Sequence, residues 1–339
     1  MITKKQDIAV IGAGISGVSL ANMLSDTANI TIFEKSRGFG GRIATRYSED
    51  CEFDHGAQFF TIKTDKFQKF MQPLIDQDIV DVWNAKFVEI DGNNVTHQKQ
   101  WGLEYPHYVG VPRMNQICKY LASKINTNLE IEVKKTERID KSKWQLSDSN
   151  NKILGKFDWV ISSVPAHQAK TLLPEEFAHH KYLDSVKMFG CYALMLGFKN
   201  KIDIGWDAAL VKNSNLSWIS NNSSKPHRKF SDSIVALASN KWSDENMEAD
   251  IEDIKLKMIE SLSSIIDYKD HIPVKCKIHR WRYANIGKNT KYKYLLDQNN
   301  KPAAIGDWCI QGRIESAFMS AYDLYGKLVN IIDFGKHNI

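Results

Sequence analysis

Three glycines, Gly12, Gly14 and Gly17, follow an apolar run, Ile8 to Ile11, and open a segment in which Ile15, Val18, Leu20 and Leu24 recur at helical spacing. Each glycine has its own steric task. The first permits a tight turn, the second lets backbone approach a pyrophosphate, and the third lets helix and strand pack closely. The peptide groups of Ala13, Ile15 and Ser16 complete a helix N-terminus aimed at phosphate, where the backbone dipoles favour negative charge. A second apolar run, Ile30 to Phe33, delivers Glu34 twenty residues after Gly14. At that distance a carboxylate accepts hydrogen bonds from a ribose diol, so the segment specifies a dinucleotide site.

The residues after Glu34 separate FAD from NAD. Lys35 extends the contact segment, and Gly40, Gly41 and Arg42 make a second close backbone approach with a cation attached. That arrangement suits a buried pyrophosphate gripped from two sides. A surface salt bridge, the other reading of Arg42, contributes on the order of 0 to 1 kcal/mol. Near the other end of the chain, Gly306 and Asp307 follow a short apolar strand, suiting backbone contact to pyrophosphate and a carboxylate on the ribityl chain, with a plain turn aspartate as the alternative. Arg313, Ile314 and Glu315 begin the last helix, whose first amides would face the charge that develops on a reduced flavin, unless Arg313 only pairs with Glu315 or a phosphate. Ala57, Gln58 and Phe59 are further cofactor candidates, and Val133 is either the residue for backbone contacts to adenine or an ordinary strand residue.

Two α/β domains must position these residues. An amphipathic helix is expected over Lys66 to Asp76, a further helix over Met114 to Lys124, and others over Glu248 to Ser263 and Ile314 to Ile332. Strands are expected at Leu129 to Lys134, Trp159 to Val164, Gly190 to Phe198, Ser233 to Ala238 and Val274 to Tyr283, with Gly287 to Lys293 a solvated loop. The chain is expected to leave the nucleotide domain and return, which assigns 1–60, 107–165 and 276–339 to a Rossmann-like FAD-binding domain. The remainder, 61–106 and 166–275, forms a mixed-sheet substrate domain.

A net charge of +5, from 45 basic and 40 acidic residues spread along the chain, gives no footprint for nucleic acid. Five cysteines are an odd number without CxxC or zinc spacing, which suits a reducing cytoplasm and implies no metal site. No apolar segment approaches the roughly 20 residues that span a bilayer. A soluble, cytoplasmic monomer or homodimer is therefore expected, without nucleic-acid or membrane partners.

Taken in order, GAGISG at 12–17, KSRGFGGR at 35–42, DHGAQFFT at 54–61, VPRMN at 111–115, SSKPHR at 223–228, HRWRYA at 279–284 and GDWCIQGRIESAF at 306–318 resemble FAD-dependent renalases. These belong to the larger superfamily of flavin amine oxidases. The resemblance covers nearly the whole chain and implies a para-hydroxybenzoate-hydroxylase- or monoamine-oxidase-like fold. It implies oxidation of the 2- and 6-dihydro isomers of NAD(P) to NAD(P)+, through noncovalent FAD, with oxygen reduced to hydrogen peroxide. The partners would then be a small dinucleotide substrate and molecular oxygen. Such a hydride transfer needs alignment more than a strong base, in keeping with the absence of a Ser-His-Asp order or paired carboxylates.

The aromatic candidates for a flat substrate slot are Phe59, Phe60, Trp281, Tyr283 and Trp308; core packing is the alternative for each. Phe60, His279, Trp281 and Tyr283 are the catalytic candidates. His279 could orient a carboxamide or carry positive charge near the flavin, a satisfied structural histidine being the alternative, while His55 is read as structural. Lys225 and Arg228 could bind the substrate pyrophosphate at the mouth of the site, or belong to an exposed turn. An amine oxidase of the same superfamily and a noncatalytic FAD-binding sensor or scaffold are the competing readings.

Overall fold

The computed structural model describes residues 5–48, 50–140, 143–228, 232–268, 271–287 and 291–334. The chain forms two compact units, each assembled from separate stretches. The first comprises Met1–Gly41, Cys118–Lys187 and Ile286–Ile339, and the second Arg42–Ile117 and Met188–Asn285.

These units are bounded differently from the division expected from sequence. The hairpin Thr45–Ser48/Cys51–Asp54 goes to the second unit because Cys51 and Phe53 pack there on Met195 and Val235. Lys275–Ile286 goes with it as a strand of the second unit's sheet. The stretch 166–187 goes to the first unit, where Leu172 joins a core that contains Phe33 and Val133.

In the first unit Asp7–Ile11 pairs in parallel with Asn29–Glu34 on one side and Trp159–Ser162 on the other. Asn126–Leu129 and Pro302–Ala304 extend the parallel sheet, and Leu295–Leu296 adds an antiparallel edge. Burial on both faces explains the unbroken apolar run at Ile8, Ala9 and Val10, all fully buried. One face places Ala9, Ile11, Phe33 and Val160 against the meander Val133–Arg138, Trp144–Asp148 and Ile153–Phe157. On the other face lies the helix Ile15–Leu24, which packs beside the long C-terminal helix Ile314–Phe334. The strand expected over Leu129 to Lys134 is interrupted because Glu130 turns to φ 58° and donates its N–H to the Ser36 carbonyl.

The second unit is built on a seven-stranded sheet in the order Lys275–Ile286, Met188–Gly197, Ser233–Ala238, Leu216–Asn221, Ala208–Lys212, Lys86–Asp91, Asn94–Gln100. One face is an aliphatic core. Val88, Leu194, Ala209, Ile219 and Ala236 pack there against Ile254, Met258 and Leu262 of the helix Ile251–Ser263. That helix starts three residues later than expected, because Asp250 caps it by accepting from the N–H groups of Glu252 and Asp253. The helix expected from Met114 is only Gln116–Leu121, since the Met114 N–H bonds the Asp54 carboxylate. The expected loop Gly287 to Lys293 includes 288–290, which lie outside the described residues.

Strand register decides what the opposite face presents. Phe87, Ala208, Ser220, Val235 and Met195 form one cross-strand row, and Glu89, Leu210, Trp218, Leu237 and Ala193 form the next. Alternation along the edge strand gives His279, Trp281 and Tyr283 one common face.

Candidate cofactor and substrate sites

The parallel strands of the first unit end together, so the turns after Ile11, Glu34 and Ala304 converge at one edge of the sheet. That carboxyl edge is where open α/β sheets bind ligands. There the Gly12 N–H donates to the Phe33 carbonyl and the Ala13 N–H to Glu34 Oε2, each at 2.8 Å. Glu34 Oε1 accepts from the Ser36 N–H at 2.8 Å, so the buried carboxylate braces the glycine turn while retaining acceptor capacity. Gly40 returns across this turn, its N–H donating to the Ala13 carbonyl at 3.0 Å, and forms a bridge with Gly14. The second glycine pair thus stacks backbone on backbone with the first.

The glycine positions divide into two kinds. A Cβ on Gly17 would lie 2.2 Å from the Gly12 carbonyl oxygen, so this glycine is required by packing alone. A Cβ on Gly14 would meet only the Gly40 oxygen, at 3.9 Å. Gly14 caps the helix Ile15–Leu24 with no side-chain hydrogen bond, leaving the first-turn N–H groups to an external acceptor. An open approach, uncapped amides and a braced carboxylate fit the pyrophosphate and ribose of FAD.

Other expected cofactor contacts fall around this edge. Gly306 donates its N–H to Ser320 Oγ, and buried Asp307 opens a short 3-10 turn, Asp307–Cys309. Ile314 begins the long helix, with Arg313 exposed just before it and Lys35 exposed just after Glu34. Val133 lies two residues past Ile131, whose N–H bonds the Glu34 carbonyl; its side chain is core. Trp308, an aromatic slot candidate, is fully buried and donates Nε1–H to the Val164 carbonyl, which makes it a packing residue. Cys309 is also buried, and burial holds its thiol pKa far above the ordinary range. Gly41 closes the first unit, and the next residue, Arg42, is tied within the second: its carbonyl accepts from Ala57 N–H and its guanidinium donates to the Ala284 carbonyl.

In the second unit, the segment Asp54 to Phe60 runs along the sheet face that bears Trp218 and Trp281. Gln58 fixes its course by donating to the Asp54 and Gly56 carbonyls and accepting from Ser220 Oγ at 2.7 Å. Its amide is therefore engaged internally. Phe59 meets Trp101, His107 and Trp218 with ring centroids 4.9–5.5 Å apart, and its ring is half-buried. Phe60 is 5% exposed between Phe67 and Tyr108, a core residue and not the slot residue expected.

At the edge strand, His279, Trp281 and His55 form one cluster. Trp281 stacks on the His55 ring at 5.1 Å and donates Nε1–H to the His55 carbonyl at 2.8 Å. His279 meets the His55 ring edge-on at 4.9 Å, and its Nδ1 lies 3.2 Å from Arg46 Nη2. Burial, and secondarily the Arg46 charge, lower the His279 pKa to about 4. Burial lowers that of His55 to about 3, with His279 and Arg46 adding to the effect. Both rings are neutral near pH 7. A lowered pKa disfavours a positive charge at His279 near pH 7.

Lys225 and Arg228 also require correction. Lys225 is 2% exposed, and its Nζ donates to Asn222 Oδ1 at 3.0 Å, Gln58 Oε1 at 3.2 Å and Asp54 Oδ2 at 3.3 Å. Three acceptors use all three ammonium protons, leaving none for a phosphate. Arg228 donates to the same Asp54 oxygen at 2.6 Å and to the Gly110 and Pro226 carbonyls. Burial would raise the Asp54 pKa, but Lys225, Arg228 and the Thr45 hydroxyl together hold it well below the carboxylate range. Burial lowers the Lys225 pKa to about 8, with Arg228 adding to this and Asp54 opposing it. This cluster anchors the segment that carries His55, Gln58 and Phe59.

Asp54 and Arg46 were not singled out from sequence as site residues. Their partners lie 171 and 233 positions away, a separation that local spacing cannot reveal. The DHGAQFFT block was the available signal for Asp54. Among the described residues there is no cluster of metal-ligating side chains and no helix long and apolar enough to cross a membrane.

A Rossmann-like nucleotide-binding unit joined to a mixed-sheet unit defines the architecture of FAD-dependent oxidases. An NAD(P)-binding Rossmann-like domain matches residues 10–74, and the flavin-containing amine oxidoreductases match residues 84–322. The chain belongs to the flavin-containing amine oxidoreductase family, and its cofactor is FAD. Solved structures agree in fold. A protein from Exiguobacterium sp. 255-15, assigned as a protoporphyrinogen oxidase, superposes with TM-score 0.75 at 10% identity over 97% of this chain and 99% of its own. A triple mutant of putrescine oxidase gives TM-score 0.69 at 10% identity over 96% and 99%. Wild-type putrescine oxidase bound to putrescine gives 0.67 at 11% identity over the same shares.

Proposed function

We propose that this flavin-dependent oxidoreductase oxidises the 2- and 6-dihydro isomers of NAD(P) to NAD(P)+. The observation that carries the reading is His279. Its Nδ1 faces a guanidinium that can only donate, so Nδ1 accepts and the ring proton resides on Nε2. A neutral Nε2–H donor suits the carbonyl oxygen of a nicotinamide carboxamide. The half-buried faces of Phe59, Trp218 and Trp281 supply flat apolar surface for a planar ring.

Bound FAD would supply the two-electron acceptor for hydride from the dihydronicotinamide ring, with oxygen and one proton from solvent taking up the electron pair as hydrogen peroxide. As hydride leaves, the substrate's ring nitrogen lone pair compensates the charge, so the chain need not supply a strong base. Its contribution is orientation. Fixed geometry alone is worth several kcal/mol of barrier, roughly 7–11 kcal/mol at best.

Anaerobic rapid mixing tests the proposal. Chemically prepared 2- and 6-dihydro isomers should bleach the flavin rapidly, ordinary NAD(P)H slowly, and simple amines not at all. Rapid bleaching by an amine with no response to the isomers refutes it in favour of an amine oxidase. Stoichiometric hydrogen peroxide in air would complete the assignment, and localisation of the purified activity in a cytoplasmic fraction would test the expected compartment.

A further inference from the structure

We infer that Arg46 is the positioning residue for His279, fixing the imidazole as a neutral donor through Nε2. The inference rests on the proposed function only for what His279 addresses, a carboxamide oxygen; the Arg46–His279 relation stands on geometry.

Arg46 lies in the hairpin strand Thr45–Ser48, paired with Phe53 of Cys51–Asp54, and both strands belong to the unit that carries His279. Its Nη2 approaches His279 Nδ1 to 3.2 Å. A guanidinium has five N–H groups and no acceptor, and it stays protonated throughout the working range of a protein. The contact is therefore a hydrogen bond only when Nδ1 offers its lone pair. Moving the ring proton to Nδ1, or adding a second proton, would set N–H against N–H and, in the latter case, cation against cation.

The surrounding groups reinforce this choice. From the segment after the hairpin, His55 places its ring 4.9 Å from His279 and is itself neutral, as burial lowers its pKa to about 3. Asp54, one residue earlier, is committed to Lys225, Arg228 and Thr45. On the edge strand itself, Arg280 and Arg282 alternate to the other side, bonding the Ala249 carbonyl and Glu248, while Lys277 is exposed. Among the described residues, Arg46 is thus the charged side chain whose hydrogen bond sets the His279 tautomer. The Trp281 ring, 4.3 Å from His279, limits rotation of the imidazole.

The test reads the tautomer directly. Flavin-loaded protein with 15N-labelled histidine is followed by NMR from pH 4.5 to 9, with the His279 signals assigned by their loss in His279→Gln. Wild type should show a protonated Nε2 and a bare Nδ1, without titration above pH 5.5. Arg46→Met should populate the Nδ1–H tautomer and raise the His279 midpoint by about one unit, as one of its two depressing influences is removed. Arg46→Lys, which still donates, should restore the wild-type tautomer. In parallel, Arg46→Met should lower the rate constant for flavin reduction by the isomers about tenfold, with a smaller change in their dissociation constant.

A wild-type His279 carrying its proton on Nδ1, or titrating between pH 6 and 8, overturns the inference even where Arg46→Met does not fold. An unchanged tautomer in a folded Arg46→Met overturns it as well. If the tautomers behave as expected while the isomers fail to reduce wild-type flavin, the substrate reading fails and the positioning role survives.

Discussion

Replacing Asp54 by Asn should destabilise the second unit more than almost any other conservative change. Asp54 is fully buried and is the carboxylate shared by Lys225 and Arg228, with Thr45 Oγ1 at 2.6 Å and the Met114 N–H at 3.1 Å on its other oxygen. An amide keeps the shape but leaves two cations without a counter-charge, and removing one member of a buried ion pair typically costs about 3–5 kcal/mol. Lys225 limits the loss, because it can shed its proton. Wild-type Lys225 already sits at about 8, so shedding its proton at pH 7 costs only about 1.4 kcal/mol, and the unpaired Arg228 carries most of the remaining loss.

The same linkage gives a pH signature. Lys225 has a folded pKa of about 8, below its unfolded value, so the folded state binds fewer protons between about pH 8 and 10.5 and wild-type stability should rise across that window. With Asp54 gone, deprotonation begins at lower pH. The deficit of Asp54→Asn should therefore narrow by about 1 kcal/mol between pH 7 and 9. At the acid end, the depressed Asp54 pKa contributes stability that is present above about pH 4, the ordinary carboxylate value, and is lost as pH falls toward the folded value. That acid-sensitive component should be absent from the variant. Denaturant unfolding at fixed excess FAD, at pH 7 and 9, measures both effects. Adding Lys225→Met should recover part of the loss by removing the surplus cation. A variant within 1 kcal/mol of wild type, a deficit that persists unchanged at pH 9, or a double variant no better than the single would each refute the reasoning.

The glycine turn offers a paired test: Gly17→Ala should cost roughly 3 kcal/mol or more, because its Cβ strikes backbone. Gly14→Ala should fold within about 1 kcal/mol of wild type, yet weaken FAD about tenfold or more by filling the approach to the helix N-terminus. Flavin fluorescence on titration separates the two cases. Glu34→Ala unbinds the Ala13 and Ser36 N–H groups and should weaken FAD about 10- to 100-fold, at roughly 1.5–3 kcal/mol for hydrogen bonds to a charged group. Thiol titration of the native protein should find Cys276 alone reacting, and slowly, since Cys51, Cys118, Cys191 and Cys309 are buried; denaturation should expose all five.

What the sequence displayed and what it concealed follow from the range of the interactions involved. The strand, turn, helix and acid from Ile8 to Glu34 are held together by contacts between near neighbours, so their spacing announces their geometry. The alternation of His279, Trp281 and Tyr283 likewise survives as a common strand face. Lys225 shows the opposite case. Serines, a proline and two cations within SSKPHR have the composition of an exposed turn, and nothing nearby in sequence indicates that Asp54 and Gln58 close over the ammonium. Phe59 and Phe60 are adjacent and chemically identical, yet the Phe60–Tyr108 bridge turns one ring into the core and leaves the other half-buried beside Trp218. Residue type thus nominated the aromatic and basic groups, while long-range pairing assigned their tasks. The two cations turned inward to hold the His55 to Phe59 segment, and a third, Arg46, took up His279.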